Sequence, residues 1–375
     1  MIHEVIREWK LVIKVIDLFS GVGGMSLGAT LAGCTLVGAV ELDPIAIDTH
    51  KVNFPKTVHL KSDISALTSN DILDSLKLKP NEVTGVIGGP PCQGFSSMGK
   101  GNVDDPRNTL FIHFFRLVKE LQPEFFLAEN VPGILNSKYD HIRQKAISLV
   151  DDSYELLKPI KISANDVGAP TTRTRVFFVG FKKSISPKME SVNFKSDVQI
   201  SNFVGDALSG LPKETEFVDG WTAITKKEGH SYTQILSRNP PTDVGNMEAV
   251  NRFLTKNEVS GMIGTVHTED VIKRFKSVTP GSKDHVSRAP RLKLDGFCPT
   301  LRAGTGSDKG SFQAVRPIHP TEPRVITPRE AARMQGFPDW FQFHTTKWHS
   351  FRQIGNSVSP IVSEFLIKKI IEKII

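Results

Sequence analysis

Short apolar, β-branched runs recur through the first half of the chain, at Lys14 to Phe19, Thr35 to Leu42, Val83 to Ile87, Glu124 to Ala128 and Arg175 to Phe181. Each reads as a strand. Between them lie segments of helical period: Gly24 to Ala32, Pro44 to Val52, Asn70 to Leu78, and Thr109 to Leu121, where Leu110, Phe114, Leu117, Val118 and Leu121 share one face. Strands alternating with helices predict an α/β fold with a doubly wound, mostly parallel sheet. The rhythm stops after Lys183. Ser184 to Asp197 is polar and interrupted, and a long stretch rich in Gly, Pro, Asn and Thr follows. A lobe boundary is therefore expected there, with residues 1–183 forming the larger domain. Helix returns at Pro328 to Gly336 and at Pro360 to Ile375.

Composition narrows this picture modestly. The 375 residues exceed one typical domain, and 39% hydrophobic content supports a large core. A formal charge of +7 favours a polyanionic partner. The densest positive segment contains Lys273, Arg274, Lys276, Lys283, Arg288, Arg291 and Lys293 and reads either as a solvated surface or as a phosphate-binding face. Three cysteines, Cys34, Cys92 and Cys298, are too few for a disulfide framework and fit a reducing compartment. No zinc spacing and no uncharged run long enough for a bilayer is present, so a soluble, cytoplasmic protein is expected.

Candidate chemistry gathers at strand ends. Gly88 to Ser96 reads Gly-Gly-Pro-Pro-Cys-Gln-Gly-Phe-Ser directly after an apolar strand, which places Cys92 on a stiff, exposed loop. The first strand runs into Asp17-Leu-Phe-Ser-Gly-Val-Gly-Gly-Met, where Gly21, Gly23 and Gly24 let a ligand approach the backbone and a helix N-terminus. That spacing is not the dinucleotide fingerprint. It favours a smaller carboxylate, such as the methionine end of S-adenosylmethionine, over a pyrophosphate. Glu41 ends the second strand where such sites bond ribose hydroxyls, and Asp63 ends the next. Glu129 leaves the strand beside the one carrying Cys92. It could hydrogen-bond a ring nitrogen, cap a helix or pair with an arginine. Arg173 and Arg175 precede a strand and fall on one side of it.

The ordered set Asp17 to Gly24, Gly88 to Ser96, Glu129-Asn-Val131, Arg173-x-Arg175, Thr327 to Pro338 and Gly355-Asn-Ser-Val358 closely resembles the DNA cytosine C5-methyltransferases of prokaryotic restriction-modification systems. The resemblance implies a Rossmann-like, class I methyltransferase domain and a smaller, irregular target-recognition domain at 184–351, with 352–375 returning to the first domain. It implies S-adenosylmethionine as cofactor and double-stranded DNA as partner, a cognate restriction endonuclease acting on the same site, and a monomer associated with the nucleoid when bound to DNA.

For the residues, the resemblance implies that Cys92 attacks C6 of a flipped-out cytosine and that Glu129 contacts N3 and the exocyclic amine. Arg175 and Arg173 would hold the base oxygen. Phe19, Gly21, Gly23, Gly24, Glu41, Asp63, Ile64, Pro90, Leu110, Asn356 and Val358 would form the cofactor pocket. Thr171 stands where the family usually has Gln. Two alternatives are a relative acting on cytosine in transfer RNA and a non-catalytic DNA-binding regulator. The Gln-Gly-Phe-Ser loop and Phe297-Cys-Pro-Thr argue against the first, and intact Cys92, Glu129 and Arg175 against the second.

Overall fold

The structure, a computed structural model, describes residues 12–91, 109–185, 193–196, 201–225, 231–303 and 316–374. The first half builds β1 (Lys14–Leu18), α1 (Gly24–Leu31), β2 (Thr35–Glu41), α2 (Pro44–Asn53), β3 (Val58–Lys61), α3 (Ser69–Leu76), β4 (Gly85–Gly88), α4 (Thr109–Leu121), β5 (Phe125–Asn130), α5 (Asp140–Ile147), β6 (Tyr154–Leu156), β7 (Ile160–Ser163) and β8 (Thr174–Lys182). These strands form one sheet in the order β3-β2-β1-β4-β5-β8-β6, with β7 also paired to β8. The first five strands run parallel, and β8 is antiparallel to β5. The mostly parallel α/β sheet expected from the alternation is present. The short strands β6 and β7 and helix α5 lie outside that expectation, because β6 and β7 draw their hydrogen bonds from β8 rather than from a long apolar run of their own.

Alternation along the strands assigns side chains to two cores. Val15, Phe125, Leu127, Phe177 and Val179 face one, while Ile16, Phe126, Ala128, Val176 and Phe178 face the other. A period of two puts successive side chains on opposite sheet faces, so both faces must be covered. Helices α4 and α5 cover the second core with Phe111, Phe114, Leu117, Ile142 and Ala146. The first face is covered by α1 and by α12 (Pro360–Ile374), which pack against each other. Gly28 permits this approach: a Cβ there would come within 2.1 Å of Ser363 Oγ and 2.6 Å of the Glu364 nitrogen.

The middle segment contains α6 (Val204–Leu208), β9 (Thr222–Ala223), α7 (Ser231–Ser237), α8 (Met247–Lys256), β10 (Glu258–Val259) and α9 (Glu269–Ser277), followed by α10 (Pro328–Met334) and α11 (Lys347–Asn356). Its apolar residues Val204, Tyr232 and Phe253 belong to the same core as α12. Polar locks reinforce the join. Arg333 on α10 pairs with Asp339 at 2.7 Å, both 3% exposed, and also donates to the carbonyls of Ala207 and Ser209. Arg291, counted above as part of a positive surface, is instead 8% exposed and donates to the carbonyls of Phe275, Val278 and Pro320. Arg274 likewise bonds the buried Asp284. Lys273, Lys276, Lys283, Arg288 and Lys293 remain exposed.

Candidate active site

At the carboxyl edge of the sheet the chain leaves β1 through three left-handed residues, Phe19 at φ 62°, Gly21 at 54° and Gly23 at 99°. Glycine reaches such angles without a Cβ penalty. A Cβ on Gly21 would meet nothing within 4 Å, so that turn leaves open space beside its backbone, whereas one on Gly23 would strike Phe54. Glu41 braces the turn. Its Oε2 accepts from the Gly21 nitrogen at 2.8 Å, and its Oε1 accepts from the nitrogens of Leu42 and Asp43 at 2.9 and 2.8 Å. Burial raises the Glu41 carboxyl above its usual range, against the pull of these donors.

These residues border a cavity of about 800 Å³. Phe19, Gly21 and Gly24 line it from the β1 turn, Glu41, Asp63 and Ile64 from the next two strand ends, and Pro90 and Leu110 from either side of the cysteine loop. Asn356 and Val358 close it from the C-terminal segment. Gly23 is absent from the wall. It caps α1 instead, packed under Phe54. Asp63 is held by the backbone and hydroxyl of Ser65, whose hydrogen bonds lower its pKa.

The far end of the cavity carries Glu129, Arg173 and Arg175. Because β8 runs antiparallel to β5, the beginning of β8 returns to the same sheet edge as the end of β5, with Glu129 opposite Phe177 and Asn130 opposite Val176. Arg175 Nε thereby lies 2.6 Å from Glu129 Oε1. Arg173, two residues earlier, turns elsewhere and donates to the carbonyls of Leu301 at 3.2 Å and Asn356 at 3.4 Å. The two arginines, equivalent in sequence, differ in what they hold.

Cys92 lies outside the described residues, but the start of its loop is placed. Asn130 Nδ2 donates to the Pro90 carbonyl at 3.4 Å, and a Cβ on Gly89 would approach Glu129 Oε2 to 3.1 Å. Thr171, buried beside Cys298, has a hydroxyl with no hydrogen-bond partner among the described residues.

Sequence reasoning missed part of the wall. Helix α11 contributes His349, Arg352 and Gln353. Arg352 pairs with Asp43 at 3.1 Å, and Gln353 donates to Thr49 Oγ1 at 2.8 Å, which docks α11 on α2. Its signal was that it runs into Gly355-Asn-Ser-Val358. Gly24 lets this segment come close, since a Cβ there would sit 2.3 Å from the Val358 carbonyl oxygen. Asp17 and Ser20 also line the cavity, and Asp17 Oδ1 is buried with no hydrogen-bond partner among the described residues.

A sequence profile for C-5 cytosine-specific DNA methylases matches residues 13–372. The type II methyltransferase M.XorII of Xanthomonas oryzae pv. oryzae is 40% identical over 93% of this chain and 82% of its own. The type II methyltransferase M.DdeI of Desulfomicrobium norvegicum is 32% identical over 96% of this chain and 88% of its own. Among solved structures, a prophage-encoded E. coli protein assigned as a DNA modification methyltransferase superposes with a TM-score of 0.87 at 49% identity, covering 96% of this chain and 99% of that one. The Dnmt2 methyltransferase of S. pombe shares the fold, with a TM-score of 0.63 at 19% identity over 96% of this chain and 98% of its own.

Proposed function

Because the chain belongs to the C-5 cytosine-specific DNA methylases, of the prokaryotic restriction-modification type, we propose that it transfers a methyl group from S-adenosylmethionine to C5 of a cytosine flipped out of duplex DNA, through a covalent bond between Cys92 and C6. The observation that carries this reading is the Glu129–Arg175 pair at the end of a cavity whose other end is a glycine turn and a helix N-terminus. The cavity fits the cofactor: it has open space at Gly21, a carboxylate at Glu41 for ribose hydroxyls and a buried carboxyl oxygen at Asp17 with no hydrogen-bond partner among the described residues. Bound there, S-adenosylmethionine supplies an electrophilic methyl group.

The chain's own residues do the rest. The Cys92 thiolate adds to C6, while Glu129 accepts from the exocyclic amine and delivers a proton to N3, so the charge developing on the ring is neutralised and C5 becomes nucleophilic. Arg175 orients Glu129 and would hold the base oxygen. Arg173 ties β8 to the carbonyls of Leu301 and Asn356 and so holds the cavity wall. After C5 takes the methyl group a base removes its proton, and the Cys92 sulfur leaves by β-elimination, restoring the aromatic ring. Extruding the base costs a few kcal/mol, which phosphate contacts from exposed lysines in 184–351 offset. That segment reads the DNA sequence, and a nuclease with the same target is the expected partner activity.

Bisulfite sequencing of a plasmid from cells expressing the protein tests the reading, with new 5-methylcytosine at one recurring site expected and none overturning it. Duplex DNA carrying 5-fluorocytosine at that site should trap the wild-type protein covalently and leave Cys92→Ser untrapped, because fluorine does not leave as a proton.

A further inference from the structure

Below the cavity wall a line of four side chains runs from the cofactor site toward the surface. Asp17 Oδ2 is 2.5 Å from Ser26 Oγ, Ser26 Oγ is 2.9 Å from His50 Nε2, and His50 Nδ1 is 2.9 Å from His59 Nε2. Asp17, Ser26 and His50 are buried, while His59 is half-buried on β3. We propose that this chain is a proton path that adjusts the charge of Asp17 to the charge of the bound ligand, so that the enzyme tells S-adenosylmethionine from its demethylated product. The inference rests on the cofactor reading given above.

Two arrangements of hydrogens satisfy these three contacts. With Asp17 ionised, Ser26 donates to Oδ2, His50 Nε2–H donates to Ser26, and His59 Nε2–H donates to the bare Nδ1 of His50. Adding one proton at His59 Nδ1 reverses the line. His59 passes its Nε2 proton to His50 Nδ1, His50 passes its own to Ser26, and Ser26 passes its hydrogen to Asp17. Both histidines stay neutral at the end, and the added proton resides on the carboxyl. Charge is thus delivered to a buried site without opening it to water.

The electrostatics favour a switch. Ionised Asp17 is costly here, since Oδ1 has no hydrogen-bond partner among the described residues and Glu41 adds repulsion; burial moves its pKa up to about 7. Burial keeps His50 neutral, and burial with Lys51 nearby moves His59 down to about 4. The arginines lining the cavity are engaged elsewhere: Arg173 with carbonyls, Arg175 with Glu129 and Arg352 with Asp43. Asp63 is held by Ser65 and Asp43 by Arg352. The sulfonium of S-adenosylmethionine is a fixed positive charge that S-adenosylhomocysteine lacks. It favours the ionised carboxyl, and the product favours the protonated one.

Two measurements on the full-length wild-type protein test this. Calorimetry in buffers of different ionisation enthalpy should find up to one proton released when S-adenosylmethionine binds near pH 6, and none when S-adenosylhomocysteine binds. The preference for the methylated ligand should rise by up to about tenfold per pH unit until pH 7 and then level off. Nitrogen-15 spectra should place the His50 proton on Nε2 in the S-adenosylmethionine complex and on Nδ1 in the product complex. Equal proton counts and one His50 tautomer in both complexes would overturn the proposal. Failure of either ligand to bind would instead overturn the cofactor reading beneath it. Asp17→Asn, checked for retained folding, should bind both ligands with a pH-independent ratio.

Discussion

Arg175 Nε and Glu129 Oε1 are 2.6 Å apart at the end of the cavity, on side chains 14% and 12% exposed. The contact exists because β5 and β8 run in opposite directions and reach the same sheet edge. A carboxyl group so held presents its oxygens to a base in a fixed orientation.

Glu129→Gln should therefore reduce methyl transfer by about 10²- to 10³-fold, since an amide cannot deliver a proton to N3. Arg175→Lys should also be impaired, because an ammonium cannot reproduce the planar fork. Single-turnover rates check this, with cofactor affinity unchanged as the sign that the cavity is intact.

Packing of α1 on α12 predicts a sharp penalty at Gly28. Gly28→Ala places a methyl against Ser363 Oγ and the Glu364 backbone, and should cost about 1–3 kcal/mol in urea unfolding. Adding Ser363→Ala should recover only part of the loss, because the backbone nitrogen remains.

The positive segment should divide into two classes. Lys283→Ala and Arg288→Ala should weaken DNA binding on all sequences alike and lower the salt dependence by about one counterion each, without changing stability. Arg291→Ala should instead lower stability by roughly 2–5 kcal/mol, since it leaves several buried carbonyls without their donor. Salt-titrated binding and thermal unfolding separate the two.

Stability of the ligand-free protein should carry the signature of Asp17. Its folded pKa of about 7 lies above the ordinary aspartate value of 3.8, so between those values the folded state binds more protons than the unfolded one. The contribution is present at low pH and lost as pH rises toward 7, up to about 4 kcal/mol in all. His59, lowered to about 4, acts in the opposite direction between about 4 and 6.5. Subtracting the urea-unfolding profile of Asp17→Asn from that of the wild type should isolate the falling component; a flat difference would show that Asp17 titrates normally.

Much of the sheet was legible because parallel strands buried on both faces must be apolar, and Val15, Val86 and Phe126 sit in runs that can be nothing else. Helix α3 was placed almost correctly, and its end was set by Lys77 in a left-handed conformation at φ 53°. Helix α11 was not seen. Its sequence, Lys-Trp-His-Ser-Phe-Arg-Gln-Ile-Gly-Asn, offers few apolar residues, and Gln353 and Arg352 gain their role only from Thr49 and Asp43, some 300 residues away.

What the sequence determined by itself was the set of strand ends that meet at one edge and the residue types offered there: a glycine turn, Glu41, the Pro-Pro-Cys loop and Glu129. Those follow from local rules, since strand, turn and proline preferences act over a few residues. Tertiary structure decided which groups engage one another. It alone separated Arg175, paired with Glu129, from Arg173, bound to the carbonyls of Leu301 and Asn356, and removed Gly23 from the cavity wall and Arg291 from the surface. It also aligned Asp17, Ser26, His50 and His59 from four separate elements. A hydrogen bond is decided by distances of a few tenths of an ångström, and those are set only when distant segments pack together.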